Sequence, residues 1–211
     1  MKTIDLTHSL SPEMSVFPGE KPAEIITSAQ HDTKGYLSHC ITFSTHCGTH
    51  IDSPAHILPH GLTLDRLPLD SFIGKASIVD LRTISTTHIE LSHITPYEDL
   101  FIRSDFILFN TGWSRYWGTG RYLEAFPVLT PDAARWICTF NLKGICFDAI
   151  SADTVDSKTL PIHKIILEKM TIVENLTNLD ELPQTGFIFS CFPLKFNNSD
   201  ASSIRAVGII H

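Results

Sequence analysis

Three short apolar runs set the first limit on this fold. Residues 76–81, 106–110 and 145–147 lack the alternation of a half-solvated strand and are too short for core helices. Each reads as a strand covered on both faces, which places helices against a sheet. Residues 4–7, 24–28, 37–45 and 171–174 are further strand candidates, and Ser11-Pro12-Glu13 with Phe17-Pro18-Gly19 reads as an ordered loop. Thr130-Pro131-Asp132 opens a helix well: a capping hydroxyl, a proline suited to the first turn, and a carboxylate at the positive end. That helix is predicted to run through Trp136 to about residue 141, with Gly144 stopping it. Pro161 opens a second helix, running through residue 169 with Ile162, Ile165, Ile166 and Met170 inward. Residues 187–194 and 204–210 read as paired strands around the turn Asn197-Asn198-Ser199-Asp200. The sum is one mixed α/β domain over 1–211, with more strand than helix.

Composition removes several functional classes. Hydrophobic residues make up 43% of the chain and charged ones 18%, so a sizeable core is expected and disorder is not. The net charge is −7 with scattered basic residues, which argues against nucleic acid and anionic membranes and for a small neutral or metal-held substrate. No apolar run approaches the roughly 20 residues that span a bilayer. The first five residues lack an apolar signal-peptide core. The five cysteines form no CxxC pair, as expected for reduced thiols in a cytoplasmic protein.

Histidine is the compositional oddity, with 11 in the chain and four of them between positions 46 and 60. In an extended chain, His46, His50, Asp52 and His56 point to one side, while Cys47, Thr49 and Ile51 point away. A helix could pair the same residues, but Gly48, Thr49, Ile51 and Pro54 are a poor helical set. An extended segment that bends near Ser53-Pro54 is therefore expected. Imidazole and carboxylate suit zinc, manganese or ferrous iron. Three such ligands leave positions open, and a divalent ion with an open position can acidify water. Gly48 would let backbone approach the ion. Spacing alone leaves a second reading, a solvated polar face.

The motif His46-x-Gly48-Thr49-His50-x-Asp52-x-Pro54-x-His56 resembles the signature of the cyclase-like metal-dependent hydrolases, which include bacterial kynurenine formamidase and isatin hydrolase. Asp5-Leu6-Thr7-His8, Phe17-Pro18-Gly19 and Thr111-Gly112-Trp113 are similar to further segments of that family. So are Leu160-Pro161-Ile162-His163, Val173-Glu174-Asn175-Leu176-Thr177-Asn178-Leu179, Pro193-Leu194 and Arg205-Ala206-Val207, so the likeness covers nearly the whole chain. The resemblance implies a swivelling β/β/α fold with mixed sheets. It implies His46, His50 and Asp52 as ligands of a first ion, with His163 and Glu174 completing a second site that Asp52 bridges. It also implies His56 as general acid or base rather than ligand. One or two divalent ions per chain, zinc before manganese, and a homodimer or higher homo-oligomer follow from the same likeness.

The reaction so implied is hydrolysis of an amide or related carbonyl compound, at a C–N bond other than a peptide bond, as in an arylformamidase. Metal-activated water is the nucleophile and His56 moves the proton. The alternatives are a lactam- or lactone-opening or dehydrating enzyme of the same fold, and a non-catalytic metal-binding protein. Other residues are ambiguous. Cys47 reads as packing by its parity, His60 as a solvated loop residue, and Asp148, Asp153 and Asp156 as turn and cap carboxylates. Trp113, Tyr116 and Trp117 either wall a pocket or pack at an interface.

Overall fold

The computed structural model describes residues 1–211. Its strands, in chain order, are β1 (Lys2–Asp5), β2 (Glu24–Ala29), β3 (Ser38–Thr42), β4 (His50–Asp52), β5 (Ile73–Asp80), β6 (His88–Ile89) and β7 (Phe106–Asn110). They continue with β8 (Val128–Leu129), β9 (Gly144–Phe147), β10 (Thr171–Glu174), β11 (Phe187–Ser190), β12 (Ala201–Ser203) and β13 (Val207–Ile210). Nine of them form one mixed sheet in the order β1-β13-β11-β5-β7-β9-β10-β4-β12. β5, β7, β9 and β10 run parallel, and the strands flanking them are antiparallel.

The apolar runs lie at the centre of this sheet because both of its faces are covered. Along β7, Ile107 and Phe109 join one core cluster, while Phe106 and Leu108 join the other. Ile145 and Phe147 divide from Cys146 in the same way, as Ile172 does from Val173. The first cluster holds Ile137 of the helix Pro131–Ile137 and Ile162 and Ile166 of the helix Pro161–Leu167, the crossovers that parallel strands require. The α/β expectation with mixed sheets therefore stands.

Several local expectations change. The helix opened by Thr130, whose side chain accepts the Ala133 amide as expected, ends at Ile137 rather than near residue 141. Gly144 does not stop it. It begins β9, where a Cβ would sit 2.6 Å from Thr171 Oγ1, so glycine allows β9 and β10 to approach. The second helix ends at Leu167; Ile165 is only half-buried, and His163 and Leu167 face the interior with Ile162 and Ile166. β11 and β13 pair as expected, Phe187 opposite Ile210, but both are shorter than predicted. Their connection is no hairpin turn, because it contributes β12 to the far edge of the sheet beside β4. The segment from His46 to His56 is not continuously extended. Only His50–Asp52 is strand, Gly48 turns the chain at φ +68°, and Pro54–His56 is a 3-10 turn capped by Ser53.

Candidate metal centre

β4 lies between β10 and β12, and its register builds the site. Glu174 is directly opposite His50, and Ile172 opposite Asp52. Cross-strand partners share a face with Cβ atoms about 5 Å apart, so the sheet sets an imidazole against a carboxylate. His50 and Asp52 share that face by strand alternation. His46 reaches it through the turn at Gly48 and His56 through the 3-10 turn after Pro54, so alternation was the wrong reason for a correct grouping. His163 enters from the third position of the helix Pro161–Leu167 and is buried. All six predicted side chains, His46, His50, Asp52, His56, His163 and Glu174, line one cavity of about 240 Å³. Phe17, Ile150 and Leu160 supply its apolar wall.

Three of the four imidazoles are committed at one nitrogen, which fixes what the other presents. His50 Nδ1 donates to the Gly48 carbonyl at 2.9 Å, leaving Nε2 inward, 3.4 Å from Asp52 Oδ1 and 3.5 Å from Glu174 Oε2. His163 Nδ1 donates to Asp153 Oδ2 at 2.7 Å, leaving Nε2 3.3 Å from Glu174 Oε1 and 3.8 Å from Asp52 Oδ2. His46 Nε2 donates to Asp200 Oδ2 at 3.1 Å, leaving Nδ1 2.9 Å from Asp52 Oδ1. That last contact lacks hydrogen-bond geometry. His50 Nε2 and both Asp52 oxygens are consequently buried without a hydrogen-bond partner. Leaving a carboxylate so is costly, and a cation among these lone pairs removes the cost. Two groups lie within coordinating reach, His46 with Asp52 and His56, and His50 with Asp52 and Glu174. The nitrogen and oxygen donors fit a divalent ion of the zinc–manganese class.

The charge states follow from these contacts. Burial works against a charged His46, but the Asp52 and Asp200 carboxylates outweigh it and hold the imidazolium up to about 9. His163 is likewise penalised by burial and raised to about 10 by Asp153, Glu174 and Asp52. Burial would raise Asp52, yet the neighbouring His50 and His46 hold it well below the usual carboxylate range. His56 differs: burial lowers its imidazolium below the ordinary value, against the pull of Asp52. Its ring makes no hydrogen bond. Although His56 lies within reach of an ion with His46 and Asp52, no acceptor aims it there, which separates it from the other three.

Some supporting residues were visible in sequence and others were not. Asp153 was read as a turn or cap carboxylate, and it does accept the Ile162 and His163 amides at 3.0 Å each. The same side chain also orients the His163 ring. Asn175, at φ +60°, donates to the Gly48 carbonyl at 2.9 Å and accepts the Tyr122 hydroxyl at 2.8 Å. Gly48 itself serves the turn rather than an approach to an ion, since a Cβ there would meet Leu10 Cδ2 at 2.7 Å. Asp200 was hidden in what looked like a turn tetrad. Cys47 is buried against Met14 as expected, and His60 is exposed. Trp113 and Tyr116 pack edge to face, and Trp117 stacks on His8 with ring centroids 4.1 Å apart; none of the three lines the cavity. Asp148 anchors that aromatic loop by accepting the Thr111 hydroxyl and the Trp113 amide, and Asp156 is exposed.

Known proteins resemble the chain along nearly its whole length. Residues 4–154 match the family model described as Cyclase. A kynurenine formamidase of Salinibacter ruber is 30% identical, the alignment covering 98% of this chain and 97% of that one. A second, from Erythrobacter litoralis, is 30% identical over 96% of this chain and 91% of its own. Among solved structures, isatin hydrolase A from Labrenzia aggregata bound to benzyl benzoate superposes with TM-score 0.86 at 25% identity, covering 99% of this chain and 93% of that one. An isatin hydrolase bound to the product analogue thioisatinate gives 0.90 at 22% identity, over 99% and 92%.

Proposed function

The chain belongs to the Cyclase family, and from that premise we propose that it hydrolyses a small arylformamide or related amide with the help of one or two divalent ions, zinc before manganese. His46, His50 and Asp52 would hold one ion, and His163 and Glu174, with Asp52, would hold a second. An ion held there supplies Lewis acidity, lowering the pKa of water and polarising a carbonyl. Everything else falls to the protein. Gly48 and Asp153 keep the His50 and His163 rings turned so that their lone pairs converge. The Ala152 amide donates to Glu174 Oε1 at 2.7 Å and fixes that carboxylate. Phe17, Ile150 and Leu160 offer an apolar wall for an aryl ring.

His56 carries the proton. Neutral near pH 7 because burial lowers its imidazolium, it can accept a proton during attack and deliver it to the leaving nitrogen. The observation that carries this assignment is the uncommitted His56 ring among three committed ones. Elemental analysis of purified protein, joined to a hydrolysis screen with added zinc or manganese, tests the whole reading. Formate release from arylformamides is expected, and no turnover of any amide with either ion would refute it. The likeness to isatin hydrolases favours a second reading, opening of a cyclic amide, so the screen includes lactams and lactones.

The finer assignments belong to the same proposal. The chain acts as a single domain over 1–211. No helix is long and apolar enough to cross a membrane, and all five cysteines are free thiols, which supports a reducing, cytoplasmic setting. The hairpin of β2 and β3 supports a homodimer. Its strands pair only with each other, yet Ile26, Tyr36, Leu37 and Ile41 are about half exposed. A lone hairpin is marginally stable in water, so a second copy covering this arm accounts for it.

A further inference from the structure

We propose that Asp200 is the positioning residue for His46, fixing that ring for an ion, and that the same carboxylate places a negative charge beside the uncommitted His56. This rests on the metal-dependent reading above. The Asp200 main chain is fastened separately, because its carbonyl accepts the Ser53 amide at 2.9 Å and the Ser53 hydroxyl at 2.8 Å. Those bonds tie the start of β12 to the residue between Asp52 and Pro54. The side chain has no part in them and turns toward His46, behind the cavity wall, instead. One oxygen, Oδ2, lies 3.1 Å from His46 Nε2 and 4.0 Å from His56 Nδ1.

A carboxylate accepts and cannot donate, so His46 Nε2 keeps its hydrogen, and Nδ1, facing Asp52, is the nitrogen that would give up its proton to an ion. Such a partner behind a ligand imidazole sets its tautomer and orientation. Gly48 does this for His50 with a neutral carbonyl, and Asp153 does it for His163 alone. Only Asp200 also reaches His56, whose ring centroid lies 4.1 Å from that of His46. When His56 takes up a proton in the reaction, the imidazolium forms beside this carboxylate. Asp200 is partly exposed, so as an ion pair it would be weak. The assignment rests on the direction it gives the His46 ring and on its nearness to His56.

Two variants of the full chain separate the roles. Asp200→Asn keeps an acceptor for His46 but removes the charge, and Asp200→Ala removes both. Zinc titration of metal-free protein should show Asp200→Asn binding close to wild type and Asp200→Ala about 10- to 100-fold weaker. At saturating zinc, kcat on an arylformamide should fall about tenfold or more in both variants with KM unchanged. Wild-type zinc affinity in Asp200→Ala would overturn the hold on His46. Wild-type kcat in Asp200→Asn would overturn the effect on His56. If Asp200→Ala does not melt cooperatively, Asp200→Ser takes its place under the same criteria. Should wild type hydrolyse no amide, the proposed reaction fails, while the zinc titration still decides the role toward His46.

Discussion

Loading the metal-free protein with zinc should release protons, because the carboxylates of the site hold two of its imidazoles charged. His46 stays protonated up to about 9 and His163 up to about 10. Neutral pH lies two and three units below those values. An ion cannot bind a nitrogen that carries hydrogen, so one proton must leave His46 Nδ1 and one must leave His163 Nε2. At 1.36 kcal/mol per unit, these removals cost about 3 and about 4 kcal/mol at neutral pH. They weaken binding at neutral pH roughly 10²-fold for the ion at His46 and roughly 10³-fold for the ion at His163, relative to alkaline solution. Calorimetric titration in buffers of differing ionisation enthalpy counts the protons. About two should appear as both ions bind, with affinity climbing until pH reaches about 10. The metal-free fold carries the complementary dependence. Both values lie above the free imidazole's 6.5, so their stabilisation is complete below 6.5 and is lost as pH rises through about 9 and 10. Zinc binding with no proton release at neutral pH, and affinity independent of pH, would refute this account of the cluster.

Three further outcomes are expected. His56→Ala should retain its metal by elemental analysis and lose most hydrolytic activity, roughly 10²-fold or more for a lost proton carrier, whereas Asp52→Ala should lose both; full activity in His56→Ala would remove that role. Asn175→Ala deletes two buried hydrogen bonds and puts alanine at φ +60°. The Gly48 carbonyl keeps its bond from His50 Nδ1 and the Tyr122 hydroxyl keeps the Asp148 carbonyl. Each lost bond therefore costs about 0.5–1.5 kcal/mol and the left-handed backbone about 1–2 more, and urea unfolding should show a loss of roughly 2–5 kcal/mol. Ile26→Glu with Ile41→Glu should convert a dimer to monomer in sedimentation; a wild-type sedimentation profile in the double variant would exclude the hairpin as its interface.

What the sequence could reveal divides along local and non-local lines. Cap chemistry at Thr130 and the two-sided burial of 106–110 are properties of a few adjacent residues, and both are realised in the structure. Spacing grouped His46, His50, Asp52 and His56, although strand alternation accounts for only two of them. Glu174 was marked only by family resemblance, because its pairing with His50 depends on the β4–β10 register. Asp200 left no signal. In a stretch of Asn, Ser and Asp, turn formation explains every residue, and nothing nearby announces that β12 returns to β4. Gly144 misled for a related reason: its need for a small side chain comes from Thr171, on another strand.

The position of β4 between β10 and β12 also bears on how the protein assembles. The parallel strands β5, β7, β9 and β10 follow one another in the chain and can condense in sequence order. β4 precedes all of them yet must pair with residues near the other end, so its docking closes a long loop, a slow event in folding. Until it docks, His46, His50 and Asp52 lie on a short local segment without Glu174 or His163 beside them. On the proposed ligand set, a divalent ion present during refolding would meet only this half-site before the sheet closes, and the complete centre would form only with the last strand pairing.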